Sequence, residues 1–281
     1  MINTNGILQD EDATRISPYN RAFLYGDGVF ETIRAINGKL LFWEDHYFRL
    51  MASMRMLRME IPMSFTPDFL EAELLKTIEA CGLSNSPARI RITVYRDGLG
   101  TYLPEENNVG FYAFAKVLSS PFYTLSEDSY EVELYKDHYV NPGILSTLKT
   151  TNKVLNVTGS IFSKENGYDN CLLINTNKNV VEALQGNLFL VKGNVIKTPP
   201  LEDGCLRGII RKQLLTIIPQ KKEYELQEVS ISPFELQKAD ELFITNSIIG
   251  IQPITKYRKK TYETKVAADL LKLLNVKARL G

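Results

Sequence analysis

The stretch LKTTNKVLN, residues 148–156, together with CLLINTNKNVVEALQGNLFLVKGNVIKTPPLEDGCL, residues 171–206, decides how the whole chain is interpreted. Lys149 stands just before a predicted amphipathic helix, and Glu182 stands in a strand of a predicted apolar hairpin. A lysine in a threonine-rich loop is usually a solvated charge. Glu182, by strand alternation, could be the exposed member of a half-buried strand. Local pattern alone therefore gives neither residue a function.

Charge and composition restrict the classes of partner. The chain has 33 basic and 33 acidic residues, so no global field attracts nucleic acid or an anionic membrane. No apolar run approaches the roughly 20 residues of a membrane span, and no basic and then apolar segment opens the chain. Three unpaired cysteines and two histidines predict no metal site. We expect a reduced, cytoplasmic enzyme whose partner is a small molecule.

The length of 281 residues favours two domains, because single cores tend to split near this size. The polar, proline-bearing segment SSPFYTLSED marks the predicted linker, which gives domains over residues 1–119 and 120–281. Alternation and helical periodicity predict the elements of the first domain: a strand over 23–36, helices over 43–56 and 66–81, and strands over 88–96 and 109–117. In the second domain they predict strands over 130–135 and 180–184, and a helix from about Ile209.

One face of the strand ARIRITVYR, residues 88–96, carries an unusual density of hydrogen-bond donors. Arg89 and Arg91 project the same way, opposite to the apolar residues between them, about 6 to 7 Å apart. This face is either a solvated sheet surface or a pocket wall that holds a carboxylate. Arg96, in the following loop RDGLGTYLP, is expected near the same site. In the preceding strand, Phe30, Thr32 and Arg34 share one face.

The chain resembles the class IV aminotransferase family, whose members use pyridoxal phosphate. The resemblance rests on motifs in family order: YGDGVFETIR from Tyr25, EDHYFRL around Arg49, KTTNK from Lys149, VVEALQGNLF around Glu182, LRGIIR from Leu206, and FITNSIIGIQPI around Ser247. It implies that Lys149 carries the cofactor as a Schiff base and moves protons, as a neutral lysine can. It also implies that Glu182 contacts the pyridine nitrogen and keeps it protonated.

The same resemblance implies the remaining site residues. Arg49, the Ile209 and Ile210 backbone amides and the Ser247 hydroxyl would bind the cofactor phosphate, since a guanidinium and a helix N-terminus both suit an anion. Other positions that would surround the cofactor are Asn187, Leu206 and Lys153. Positions that would contact the substrate are Tyr25, Phe30, Thr32, Arg34, Arg89, Arg91 and Arg96.

The implied fold is mixed α and β, with a small α/β sandwich domain followed by a larger barrel-like β domain with helices, as in D-amino-acid aminotransferase. The family resemblance also implies a homodimer. A non-catalytic binding protein is the minor alternative, but a protein without catalysis need not retain Lys149, Glu182 and Arg49 in register.

Two reactions are compatible with this resemblance. Aminodeoxychorismate lyase eliminates 4-aminobenzoate and pyruvate for folate synthesis, whereas branched-chain and D-amino-acid aminotransferases transfer the amine. The Thr-Asn-Ser of FITNSIIG is more similar to the lyases than to the Gly-Thr-Ala of the branched-chain enzymes. Lys153 matches neither the arginine of the lyases nor the tyrosine of the branched-chain enzymes. The arginine-rich strand predicts a dicarboxylate substrate, and hence elimination from aminodeoxychorismate.

Overall fold

Strand alternation builds two separate sheets in a computed structural model of the chain, which describes residues 1–126 and 128–280. The chain divides into two compact units. The first unit contains Met1–Pro121 and Lys149–Asn152, and the second contains Phe122–Leu148 and Lys153–Leu280. The short segment Lys149–Asn152, which the sequence placed in the second domain, therefore groups with the first unit.

The first unit contains a six-stranded sheet and three helices among its described residues. In chain order its elements are β1 (Ile2–Thr4), β2 (Ile7–Gln9), α1 (Arg21–Tyr25), β3 (Gly28–Ile36), β4 (Lys39–Leu40), α2 (Trp43–Met56), α3 (Pro67–Ala80), β5 (Ala88–Arg96) and β6 (Val109–Val117). The strand order is β2-β1-β6-β5-β3-β4, and every pairing is antiparallel. This arrangement leaves the first half of β3 without a neighbour from these strands on its outer edge.

The two faces of this sheet differ in character. Ile33 of β3 and Ile90, Ile92 and Val94 of β5 are fully buried in one apolar cluster, which also includes residues of α2 and α3. We call this the inner face and the opposite one the outer face. Because successive strand residues point to opposite sides, Phe30 and Arg91 belong to the outer face.

Local sequence explains where the helices begin. Thr66 accepts a hydrogen bond from the Phe69 N–H at the start of α3, and proline occupies the first helical position. Asn20 caps α1 in the same manner, and Gly26 ends it with a φ of 66°. The sequence predicted one strand from residue 23, but these caps separate a short helix from β3.

The second unit consists of short strands and helices in a mixed arrangement. Its elements are β7 (Glu131–Val140), a 3₁₀ turn (Ile144–Thr147), α4 (Val154–Glu165), β8 (Asn170–Asn175), β9 (Val180–Ala183), β10 (Gly186–Lys192), β11 (Val195–Thr198), a 3₁₀ turn (Leu201–Asp203), α5 (Ile209–Ile217), a 3₁₀ turn (Ile218–Gln220), β12 (Glu225–Glu228), α6 (Pro233–Leu236), β13 (Glu241–Asn246), β14 (Gly250–Ile254), β15 (Lys256–Tyr257), β16 (Lys260–Thr261) and α7 (Lys265–Leu280).

The sheet of the second unit branches at β10. The main path is β12-β11-β10-β9-β8-β7-β15-β16, and β13 pairs with both β10 and β14. Phe189 of β10 and Phe243 of β13 are opposite each other and stack with ring centres 5.1 Å apart. Glu241, at the start of β13, accepts hydrogen bonds from the Val266 and Ala267 amides of α7. The mixed α and β class predicted from the sequence is confirmed.

The helices in residues 1–126 and 128–280 include none with the length and apolar character needed to cross a membrane.

Candidate active site

Lys149 lies on a short extended segment that pairs with the uncovered edge of β3. Val29 and Thr150 form an antiparallel bridge. The Phe30 N–H donates to the Lys149 carbonyl at 2.9 Å, and the Thr151 N–H donates to the Gly28 carbonyl at 2.9 Å. This register sets Lys149 opposite Phe30, so both side chains project from the outer face. The backbone therefore fixes the lysine beside the strand predicted to line the substrate pocket.

Two cations contact the Phe30 ring. The Lys149 Nζ atom lies 4.4 Å from the ring centre, and the Arg91 guanidinium carbon lies 3.7 Å from it. The two cationic groups are therefore no further apart than the sum of these distances. Cation–π contacts stabilise each group modestly. A carboxylate bound by Arg91 would lie close to the lysine amine.

Arg91 is held in place from several sides. The sheet register pairs it with Thr32, and its Nε donates to the Thr93 hydroxyl at 3.2 Å. Burial lowers the pKa of Arg91, and the nearby charge of Arg89 lowers it further. Among residues 1–126 and 128–280, no carboxylate lies within ion-pair distance of Arg91. The position is thus positively charged and partly desolvated.

The other predicted substrate arginines occupy different surroundings. Arg89 is opposite Arg34 in the sheet and is exposed on the outer face. The buried Arg34 side chain donates to the Ser120 carbonyl through Nη2. Of the arginines that the sequence assigned to a carboxylate pocket, only Arg91 contacts the same aromatic ring as Lys149.

The partners of Arg96 are protein groups, whereas the sequence suggested a substrate carboxylate. Its Nε donates to Asp27, Nη2 donates to the Leu57 carbonyl, and Nη1 donates to the Asn107 side chain. Strand alternation accounts for this, since Arg96 shares the parity of the inner-face residue Val94 and not that of Arg91. Arg96 therefore acts as an internal anchor of the first unit.

Tyr25 lies at the end of α1, where an arginine that sequence reasoning missed organises the surroundings. The buried Arg21 bonds to Asp27 and to the carbonyls of Gly100 and Thr101. The Tyr25 ring contacts Tyr102 with centres 5.6 Å apart. Both tyrosines are exposed, so the loop after β5 presents aromatic surface next to α1.

A cleft of about 640 Å³ opens on the outer face of the same sheet. Thr93 of β5 and Tyr112 and Phe114 of β6 form its floor, and the segment around Phe23 forms one wall. Thr93 is the cross-strand neighbour of Phe30. The volume lies within the range of small-molecule sites.

Arg49, the predicted phosphate ligand, lies in a buried cluster on the inner face. Its Nε donates to Glu31 Oε1 at 2.7 Å and its Nη2 to Glu31 Oε2 at 2.5 Å, a two-point ion pair. His46 Nδ1 lies 2.7 Å from Glu31 Oε2. Neither Glu31 nor His46 was assigned to the site from the sequence, although the spacing of His46 and Arg49 places them on one face of α2.

The charges in this cluster follow from its contacts. Burial alone would raise the pKa of Glu31, but the charge of Arg49 and hydrogen bonds from Arg49 and His46 outweigh burial and lower the pKa to about 2. Burial lowers the pKa of His46 against the opposing influence of Glu31, and Lys149 adds to the lowering. The cluster therefore contains an ionised glutamate, a charged arginine and a neutral histidine.

In the second unit, Glu182 belongs to a hydrogen-bonded group with two other residues of the predicted site, Asn187 and Leu206. Glu182 and Asn187 are cross-strand partners in the β9–β10 hairpin. Glu182 Oε2 accepts from the Leu206 N–H at 2.9 Å, and Asn187 Nδ2 donates to the Leu206 carbonyl at 2.8 Å. A Cβ atom at Gly208 would lie 1.9 Å from Asn187 Oδ1, so glycine is required there. The half-buried carboxylate is thereby oriented by backbone.

The helix that follows Gly208 provides amide donors. Gly208 is the N-cap residue of α5, and no side chain caps this end. The buried residues Ile209 and Ile210 begin the helix, where N–H groups have no intrahelical partner. Such an end suits an anion such as phosphate.

Ser247 lies in the turn between β13 and β14. Asn246 stabilises this turn, because its side-chain oxygen accepts from the Ile248 and Ile249 amides and its Nδ2 donates to the Gln185 carbonyl. The Ser247 carbonyl accepts from the Tyr123 hydroxyl. Asn246 thus has a conformational role within the Thr-Asn-Ser motif.

Lys153, the remaining predicted cofactor neighbour, is the half-buried N-cap residue of α4.

The chain is similar to known proteins in both sequence and fold. The sequence profile of the amino-transferase class IV family matches residues 28–257. A Methanocaldococcus jannaschii protein assigned provisionally as a branched-chain amino acid aminotransferase is 29% identical, with 98% of this chain and 94% of the relative aligned. The aminodeoxychorismate lyase of Bacillus subtilis is 28% identical, with 98% and 93% aligned.

A solved structure extends the likeness to the fold. The branched-chain aminotransferase of Thermoproteus uzoniensis superposes with a TM-score of 0.86 at 24% identity, covering 98% of this chain and 93% of the other. The family profile spans most of the chain, including Lys149, Glu182 and the β13–β14 turn. The protein is therefore a member of the class IV aminotransferase family, an enzyme family that includes transferases and lyases.

Proposed function

We propose that the protein is a pyridoxal-phosphate enzyme in which Lys149 carries the cofactor covalently. The residues present fit this group. Lys149 places an amine on the outer face, Glu182 offers a carboxylate oriented by the Leu206 amide, and α5 begins with amides that no side chain caps. Gly208 lets the Asn187 side chain lie directly against the start of α5.

Each residue then has a defined task. When bound, pyridoxal phosphate withdraws electrons from the carbon that carries the substrate amine, which makes the proton on that carbon acidic. Lys149 would then remove this proton and return it elsewhere. Glu182 would hold a proton at the pyridine nitrogen. The α5 amides and Ser247 would bind the phosphate group.

Arg91 supports a substrate with a carboxylate distant from the reacting amine. Its contact with the same ring as Lys149 is the observation that carries this proposal. The neighbouring outer-face side chains, Phe30, Thr32 and Thr93, offer one aromatic ring and two hydroxyls. We therefore propose elimination from aminodeoxychorismate, giving 4-aminobenzoate and pyruvate, as the first candidate reaction. That reaction would serve folate synthesis.

Transamination of an amino acid is the second candidate. Glutamate, a possible amino donor, is itself a dicarboxylate and would use the same arginine. The D-alanine aminotransferase of Listeria monocytogenes is 26% identical over 89% of this chain, close to the identity of the lyase relative. Arg34 and Arg96 bond to protein carbonyls, so the outer face offers fewer cations than the sequence indicated.

One assay separates the two candidates. The holoenzyme is given aminodeoxychorismate, and 4-aminobenzoate and pyruvate are measured. In parallel it is given leucine or D-alanine with 2-oxoglutarate, and glutamate is measured. Faster formation of 4-aminobenzoate supports the lyase. Efficient glutamate formation without 4-aminobenzoate would reverse the ranking.

The homodimer and the cytoplasmic location expected from the sequence are parts of the same proposal. Sedimentation equilibrium of the holoenzyme tests the first, because a dimer has twice the chain mass of 31.9 kDa. Cell fractionation tests the second.

A further inference from the structure

Glu31 is a buried carboxylate on the apolar side of a sheet. It lies on the inner face of β3 between Val29 and Ile33, and its own exposure is 1%. A carboxylate in such a position is costly to desolvate unless it is paired. Apolar residues of similar volume can replace buried ion pairs without loss of stability, so the pair's presence is not explained by stability alone.

The geometry of the ion pair divides the Arg49 guanidinium into two edges. Glu31 accepts from Nε and Nη2, which form one edge of the planar group. The opposite edge is formed by Nη1 and the second hydrogen of Nη2. The Arg49 side chain retains 8% exposure and the Glu31 side chain 2%. The arginine is therefore the more exposed member of the pair.

We propose that Glu31 is a positioning residue that orients Arg49, so that the outer edge of the guanidinium meets the phosphate group of the cofactor. The inference rests on the proposed function, which assigns the cofactor, and on the phosphate contact that the family resemblance implies for Arg49. Glu31 touches neither cofactor nor substrate in this role. His46 supports it, because a proton on Nδ1 donates to the carboxylate oxygen that Arg49 Nη2 also uses.

Two roles of Glu31, neutralising the Arg49 charge and orienting the Arg49 side chain, lead to different expectations for phosphate binding. The Arg49–Glu31 pair has no net charge, so its attraction for a phosphate depends on directed N–H groups more than on field strength. A lysine at position 49 would keep the charge but lack the fork that can contact Glu31 and phosphate together. If Glu31 served only to neutralise a buried charge, its removal would strengthen phosphate binding.

The test compares two ligands that differ only in the phosphate. Dissociation constants of pyridoxal 5′-phosphate and pyridoxal are measured spectroscopically on cofactor-free protein, and their ratio is taken. The proteins are wild type, Glu31→Gln, Arg49→Lys and Glu73→Gln. Glu73 is a matched control, since its carboxylate bonds to Asn3 and Lys76 away from this cluster. General destabilisation changes both constants and leaves the ratio unchanged.

We expect Glu31→Gln and Arg49→Lys each to reduce the preference for pyridoxal phosphate by about tenfold or more, as loss of a charge-assisted hydrogen bond implies. Glu73→Gln should keep the wild-type ratio. In an Arg49→Ala background, Glu31→Gln should have no further effect on the ratio, because Glu31 acts through Arg49. An unchanged or increased preference in Glu31→Gln would overturn the proposal.

Two further outcomes are distinguishable. If Glu31→Gln does not fold, Arg49→Lys decides, and a wild-type ratio in that variant overturns the positioning role. If wild type shows no preference for the phosphorylated ligand and no borohydride-stable adduct at Lys149, the proposed function fails and the inference with it. If wild type shows both and Glu31→Gln keeps the ratio, only the inference fails.

Discussion

Neighbouring residues of one strand lie in opposite electrostatic environments. On the outer face of β3, Phe30 contacts two cations, Lys149 and Arg91. On the inner face, Glu31 pairs with Arg49 and accepts from His46, so charge is balanced within the protein. The difference shows how alternation places two cations on one side of the strand and a paired carboxylate on the other.

Removal of the Lys149 amine should have the largest effect on the outer face. Lys149→Ala should abolish covalent cofactor attachment and lower turnover by about 10⁴-fold or more, because it removes the attachment point and the base for proton transfer. Borohydride reduction followed by peptide mapping measures the attachment. Lys76→Ala, which alters an exposed lysine on α3, serves as control. Cofactor trapped on another lysine in wild type would contradict the assignment.

Removal of Arg49 should destabilise the protein through the ion pair on the inner face. Arg49→Ala leaves the Glu31 carboxylate buried without its main partner, so the free energy of unfolding of cofactor-free protein should fall by about 3–5 kcal/mol. Urea denaturation measures this change. The double variant Glu31→Leu with Arg49→Met should recover most of the loss, because no uncompensated charge remains. A double variant as unstable as Arg49→Ala would show that the pair contributes more than mutual neutralisation.

Acid should lower the free energy of unfolding through the Glu31 cluster on the inner face. The folded pKa of Glu31 is about 2, below the usual 4.5, so its contribution is complete above pH 4.5 and is lost as pH falls toward 2. The full contribution corresponds to about 3 kcal/mol. His46, which faces Glu31, Arg49 and Lys149, acts the same way because its pKa lies below 6.5. Unfolding free energies between pH 7 and 3 should decline more steeply in wild type than in Glu31→Leu with Arg49→Met.

Substitution of Arg91 should have the smallest effect, because it leaves Lys149 in place. Arg91→Ala should raise KM for a dicarboxylate substrate roughly tenfold to a hundredfold, equal to about 1.5–3 kcal/mol for a charge-assisted contact. Steady-state kinetics with aminodeoxychorismate and with glutamate measure it. Lys116→Ala removes an exposed cation from the same face further along the sheet and should change KM little. Equal effects of the two variants would indicate a general field instead of a specific contact.

Sequence reasoning predicted the fold class and most strand and helix positions, since β5, β6 and α2 follow clear periodicities. It also placed Glu182 in a strand of an apolar hairpin, because alternation is a local pattern. It put the lysine segment in the second domain, because pairing between residues far apart in sequence is invisible to local pattern.

The arginines illustrate a second limit. Arg91 and Arg96 belong to the same strand, β5. Arg91 lies on the outer face, whereas Arg96 is bonded to Asp27 and to backbone carbonyls. Strict alternation along β5 would have separated them. The partners of Arg34 and Arg49 could not be predicted, because those contacts form only when the strand and its neighbours pack. Glu31, a charge on an apolar face, was the available signal for the inner cluster.

The pairing of residues 149–151 with β3 limits how the polypeptide can be dissected. A fragment ending at residue 121 would contain the strand but lack Lys149. A fragment beginning at residue 122 would contain Lys149 without the strand that positions its backbone. Chain closure over more than a hundred residues must precede the presentation of Lys149, which raises the contact order of this step. On the ribosome, cofactor capture would therefore be a late event in the maturation of the chain.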